Sequence, residues 1–114
     1  MLNQANFTET EFRLTAVRLA RRVQHLMDKR SIEVVNVAER FAYGKATEQE
    51  LLAAWLSGRS TAQRLAEEAL VSATKAPAAL AAWAAAWTAA EDAMKASGFA
   101  ADYSERALQV ATTM

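Results

Sequence analysis

Apolar residues recur three and four positions apart along most of this chain, and the first such run is the clearest. Phe12, Ala16, Leu19, Val23 and Leu26 keep the spacing of one face of an α-helix. Ahead of them, Thr8-Glu9-Thr10-Glu11 reads as a capping box, with Thr8 at N-cap and Glu11 at N3. Phe7 and Phe12 are placed to form the hydrophobic staple across it. These signals predict a helix from about residue 9 to Met27. Asp28 can cap a second helix over about 29–43, closed by Gly44 at C′. Its expected buried stripe is Ile32, Val35, Ala38 and Ala42, with Val34, Val37 and Phe41 alongside. The β-branched cluster Ile32, Val34, Val35 and Val37 is compatible with a strand. The helical spacing runs on through Phe41, however, and no partner strand is apparent, so helix is preferred.

Thr47-Glu48-Gln49-Glu50 is a second capping box. Beyond it, Leu51, Trp55, Gly58, Ala62, Leu65 and Ala69 hold one phase across the glycine. A broken helix would lose that register, so one long helix over about 48–74 is expected. Gly58 should lie on its inner face, where another helix crosses closely. Pro77 suits the first turn of a fourth helix, with Leu80, Trp83, Trp87, Ala90 and Met94 as its stripe and Gly98 as its end. Asp102 and Glu105 have capping-box spacing for a last helix over about 103–113.

Composition supports helices throughout. Alanine, the best helix former, dominates the second half of the chain, while there are only three glycines and one proline. A chain of 114 residues suits one domain with its own core. The expectation is an all-α fold, a compact four- or five-helix antiparallel bundle forming a single helical domain over residues 1–114. There is no cysteine, which excludes disulfides and thiolate metal sites. The N-terminus, Met1-Leu2-Asn3-Gln4-Ala5-Asn6, has neither the basic start nor the apolar centre of a secretory signal. The uncharged run between Lys75 and Glu91 is too short to span a bilayer. A cytoplasmic protein with no membrane partner is expected.

Formal net charge is zero, so no global field draws the chain to nucleic acid or membrane. The charge is nevertheless uneven. Residues 1–30 carry six basic residues against three acidic ones, and residues 61–114 carry four against six. On a helix running to Met27 and beyond, Arg18, Arg21, Arg22, His25 and Lys29 share one arc, opposite the apolar stripe. This arc is either an ordinary solvated face or a patch facing an acidic protein, a nucleotide or a phosphate backbone. Trp83 and Trp87, four residues apart, are either bulky core filling among alanines or an exposed aromatic anchor. If they are exposed in a monomer, a homodimer or a bound partner follows.

Catalytic and metal chemistry find little purchase. His25 is the one histidine, and no His-Glu-x-x-His or Glu-x-x-His motif accompanies it. The neighbours Glu67-Glu68 and Glu91-Asp92 would diverge by about 100° on a helix, so they read as solvated faces. Gly44, Gly58 and Gly98 are too scattered for a phosphate loop. A helix-turn-helix across Gly44 would bury Arg40 and Glu50 and open its reading helix with Glu48 and Glu50, which repel phosphate. No catalytic residue, cofactor or metal ligand is therefore assigned.

Residues 21–56 also carry a resemblance. Arg21-Arg22-Val23-Gln24-His25-Leu26, Asp28-Lys29-Arg30-Ser31 and the run from Val37 to Leu51 are similar to a family of alanine-rich helical proteins of bacteria and phages described as immunity proteins. The likeness extends to the tryptophan-containing alanine tract at 80–90. This chain is shorter than many members and lacks their cysteines ahead of the Arg-Arg pair. The resemblance implies a protein that neutralises a toxin or defence component by binding it, and it carries over no catalytic residues. The leading expectation is a non-enzymatic interaction module. Its candidate partner-binding residues are Arg18, Arg21, Arg22, His25, Lys29, Trp83 and Trp87. Binding of a nucleotide or nucleic acid along helix 1 is the alternative.

Overall fold

A computed structural model describes residues 8–113, and the expected Phe7–Phe12 staple lies partly outside them. Five helices follow in order: α1 (Glu9–Arg21), α2 (Lys29–Ala42), α3 (Glu48–Val71), α4 (Ala76–Thr88) and α5 (Ala93–Thr113). No strand occurs among the described residues, and the architecture is an all-α bundle. The β-branched cluster lies within α2.

Both capping boxes form. The Thr8 hydroxyl accepts the Glu11 N–H and the Glu11 carboxylate accepts the Thr8 N–H; Thr47 and Glu50 repeat the arrangement. Asp28 caps α2 by accepting the Ser31 N–H at 2.8 Å. The far end of α2 closes with Gly44 at φ +74, a left-handed conformation that glycine adopts without a Cβ penalty. The Lys45 N–H donates to the Arg40 carbonyl and the Gly44 N–H to that of Phe41, the two bonds of a Schellman ending.

At the centre lies α4, which packs against all four other helices. It carries no charged residue, and eight of its thirteen residues are buried. A helix apolar on every side belongs inside a fold, and alanine makes it narrow enough to be surrounded. Helix α3 runs unbroken past Gly58, as its register predicts. A methyl carbon on Gly58 would stand 3.1 Å from the Ala86 Cα and 3.2 Å from Val34 Cγ2. The missing side chain is what brings α3 against α4. Trp55 meets Trp87 near the start of α3, whereas Ala62 and Leu65 pack with Ala79 and Ala82. The two helices are thus antiparallel, and so are α4 and α5, where Trp87 meets Phe99 and Trp83 meets Tyr103.

Several boundaries differ from expectation. Helix α1 stops at Arg21, not Met27. Val23 turns to φ −116, ψ 19, and a 3-10 turn at Gln24–Leu26 delivers the chain to the extended Asp28 cap. Periodicity hid this break because Val23 remains fully buried after the helix has ended. The buried face of α1 is centred on Arg13, Ala16, Val17 and Ala20. In α2 the buried residues are Ser31, Val34, Val35 and Ala38, with Ile32 and Ala42 only partly covered. Helix α3 ends at Val71, before the expected 74.

The largest correction concerns α4 and α5. Gly98 does not end a helix and Asp102 does not begin one; both lie inside α5. The chain turns instead at 89–92. There Asp92 accepts the Lys95 N–H at 3.0 Å and its carbonyl accepts from Ala96. Arg13, only 2% exposed, reaches across from α1 and donates to the carbonyls of Thr88, Ala90 and Glu91 at 2.8, 2.8 and 3.3 Å. Those carbonyls lose helical partners at the turn and regain donors from the guanidinium. Its other neighbour is the Phe41 ring, 5.2 Å away. A tertiary contact thus sets a helix end inside an alanine tract whose propensity alone favours continuation.

Candidate functional site

Two indoles of α4 project between α3 and α5. Trp87 stacks on Phe99 with centroids 4.2 Å apart and planes inclined 21°, and meets Trp55 at 5.0 Å and 54°. Trp83 lies 6.1 Å from Tyr103, nearly parallel to it. The five rings form two neighbouring groups across three helices, Trp55–Trp87–Phe99 and, one turn earlier on α4, Trp83–Tyr103. All the indoles and Tyr103 are half-buried, and Phe99 is 41% exposed. Trp83 and Trp87 therefore divide between the two roles considered for them: each fills space against alanines and still shows an edge to solvent.

Cations flank both groups. The Arg59 guanidinium sits 5.7 Å from the Trp55 ring and that of Arg106 sits 5.9 Å from Tyr103, within cation–π range. Arg106 is also paired with Asp102 at 3.3 Å. Beside Trp55 on α3, Leu52 and Leu56 are exposed one turn apart. The Trp87 Nε1 is buried without an acceptor among the described residues. Chemically, this face offers flat apolar area and delocalised cations.

The basic residues of the first segment are distributed differently from the single arc expected. Because α1 ends at Arg21, His25 lies on the 3-10 turn and Lys29 opens α2. Arg18, Arg22, His25 and Lys29 are exposed. Arg21 is committed: it donates to Gln24 Oε1 at 2.7 Å, Asn36 Oδ1 at 3.0 Å and Glu39 Oε1 at 2.7 Å. It ties α1 to α2, and its charge is matched by Glu39.

A third feature is a cleft of about 840 Å³ between α2 and α3, with Val34, Val37, Ala53 and Ala54 among its walls. It adjoins a smaller polar recess of about 310 Å³. Nearby, the Glu68 carboxylate is held below the usual carboxylate range by hydrogen bonds from Lys75 and then Arg64. Burial lowers the pKa of the Arg13 guanidinium, with Glu9 and Asp92 acting in the opposite sense. Among the described residues, no group of three or more His, Asp or Glu side chains is placed to hold a metal ion, and no helix is long and apolar enough to cross a membrane.

Sequence reasoning placed Trp55 on the inner stripe of α3 but did not single out Phe99, Tyr103, Arg59 or Arg106. The i, i+4 pair at 83 and 87 identified one wall of the face. The opposing walls depend on where α3 and α5 pass, and α5 had been expected to begin too late to contain Phe99.

The fold and this face together define an all-α five-helix bundle with two aromatic groups at its surface. Comparison with known protein families, with curated proteins and with solved structures finds no significant match.

Proposed function

We propose that this chain is a non-enzymatic interaction module that binds a protein partner through the aromatic face of α3, α4 and α5. The observation that carries the reading is the row Trp55–Trp87–Phe99 with Trp83–Tyr103 beside it, edged by Arg59 and Arg106. Tryptophan, tyrosine and arginine dominate the energetics of protein interfaces. Rings already stacked in the free chain lose little freedom on binding. Exposed Leu52 and Leu56 extend the apolar area. The partner class we propose, a toxin or defence component, comes from the resemblance of residues 21–56 and 80–90 to immunity proteins.

Capture from a host lysate on immobilised chain tests this reading. Phe99→Ser and Arg59→Glu should remove a specific protein that Arg18→Glu/Arg22→Glu leaves bound. Helical content should be unchanged in each variant by circular dichroism. Loss only with the α1 variant would favour the second reading, a nucleotide or nucleic acid held by the exposed Arg18 and Arg22. Turnover of a substrate with no partner retained would end both.

A further inference from the structure

We propose that the recess between the start of α2 and the middle of α3 is a phosphate subsite, and that the α2–α3 cleft takes a small phosphomonoester. The recess is lined by Arg30, Ser57, Ser60, Thr61 and Arg64 and encloses about 310 Å³. Thr61 is only 4% exposed. Among the described residues, none of the three hydroxyls takes part in a hydrogen bond. Helical serines and threonines often turn back to a carbonyl of the preceding turn, as Thr15, Thr88 and Thr112 do in this chain. Three hydroxyls that decline this option, gathered beside two guanidinium groups, form an array of donors in which, among the described residues, only Arg64 has an acceptor.

Charge placement points the same way. The first turns of α1 and α3 each carry two acidic residues, as the positive end of a helix dipole favours. The first turn of α2, like those of α4 and α5, carries no acid; beyond its Asp28 cap it opens with Lys29 and Arg30. Arg30 has no ion pair among the described residues. Of these two cations at the positive end of α2, the Asp28 cap supplies one matching charge. Arg64 is partly engaged, with Glu68 at 2.8 Å and Asp28 at 3.7 Å, but Glu68 is shared with Lys75 at 2.9 Å. Lys29, Arg30, Arg64 and Lys75 exceed Asp28, Glu33 and Glu68 by one charge, and Arg40 and Glu50 on the cleft wall cancel.

A phosphate in the recess would accept from Arg30, Arg64 and the hydroxyls. Arg30 and Ser57 also line the larger cleft, so the two spaces are continuous. The ester group would then lie along the apolar strip Val34, Val37, Ala53 and Ala54, with Glu33, Arg40 and Glu50 on the remaining wall.

Amide NMR titration at constant ionic strength with inorganic phosphate and with phenyl phosphate tests the proposal. Phenyl phosphate should bind the more tightly and shift residues 29–31 and 57–64 together with 34, 37, 53 and 54. Arg30→Gln and the near-isosteric Thr61→Val should each weaken it about tenfold or more, while Phe99→Ser leaves it unchanged. The proposal is overturned if neither probe shifts residues 57–64, if phenyl phosphate binds no more tightly than phosphate, or if both recess variants bind as the wild type does.

Discussion

Gly58 of α3 and Ala86 of α4 approach so closely that a Cβ on the glycine would stand 3.1 Å from the alanine Cα. Both residues are buried, and Val34 closes the third side. Replacing a helical glycine by alanine ordinarily gains about 1 kcal/mol in propensity, whereas overpacking a tight site costs about 1–3 kcal/mol. Since the nearest atom is backbone, the steric cost should win. Gly58→Ala is expected to lower stability by about 1 kcal/mol and Gly58→Val by more. Gly98, exposed within α5 with nothing near its Cβ direction, supplies the control. Gly98→Ala should raise stability by about 1 kcal/mol. Urea denaturation of the two variants checks the opposite signs.

Arg13 gives the second expectation. Arg13→Met would leave the carbonyls of Thr88, Ala90 and Glu91 without their buried donor and should cost about 2–4 kcal/mol. Arg13→Lys keeps the charge but not the planar fork, so it should recover only part of that loss. Chemical denaturation measures both. Amide exchange should quicken first around 88–96 in either variant.

Ser31 is fully buried on α2 and its hydroxyl has no partner among the described residues. Substitution by alanine removes an unsatisfied polar atom and improves helix propensity. Ser31→Ala should raise stability by about 0.5–1.5 kcal/mol, seen as a higher denaturation midpoint. A lower midpoint would show that the hydroxyl has an acceptor.

Acid should weaken the fold through two carboxylates. The Thr47 backbone N–H, then its hydroxyl, hold Glu50 below its ordinary 4.5. Lys75 and Arg64 do the same for Glu68. A group whose folded pKa is depressed contributes stability that is complete above the unfolded value and lost as pH falls through the folded one. Thermal midpoints should therefore drop on acidification below about pH 4.5. Glu50→Gln/Glu68→Gln should show a shallower decline over that window.

Where local chemistry decides structure, the sequence was legible. Thr8, Asp28, Thr47 and Gly44 begin or end helices through bonds spanning three to five residues, and each does so here. The inward position of Gly58 followed from phase alone. The α4–α5 turn was not legible, because its carbonyls are satisfied by Arg13, more than seventy residues away in sequence. Asp92 was a local signal, overlooked beside Glu91 in a tract of strong helix formers. The aromatic face was half legible for the same reason: Trp83 and Trp87 belong to one helix, while Trp55, Phe99 and Tyr103 join them only through packing. The paired state of Arg21 likewise depends on Asn36 and Glu39 of the neighbouring helix.

The protein-binding account is tested most directly by an amide-exchange footprint of the complex with the captured partner. Protection is expected over 52–59, 83–87 and 99–106, with residues 9–22 exchanging as in the free chain. Protection confined to the arginines of α1 and the turn after it, with Trp55, Trp87 and Phe99 segments unchanged, would contradict it.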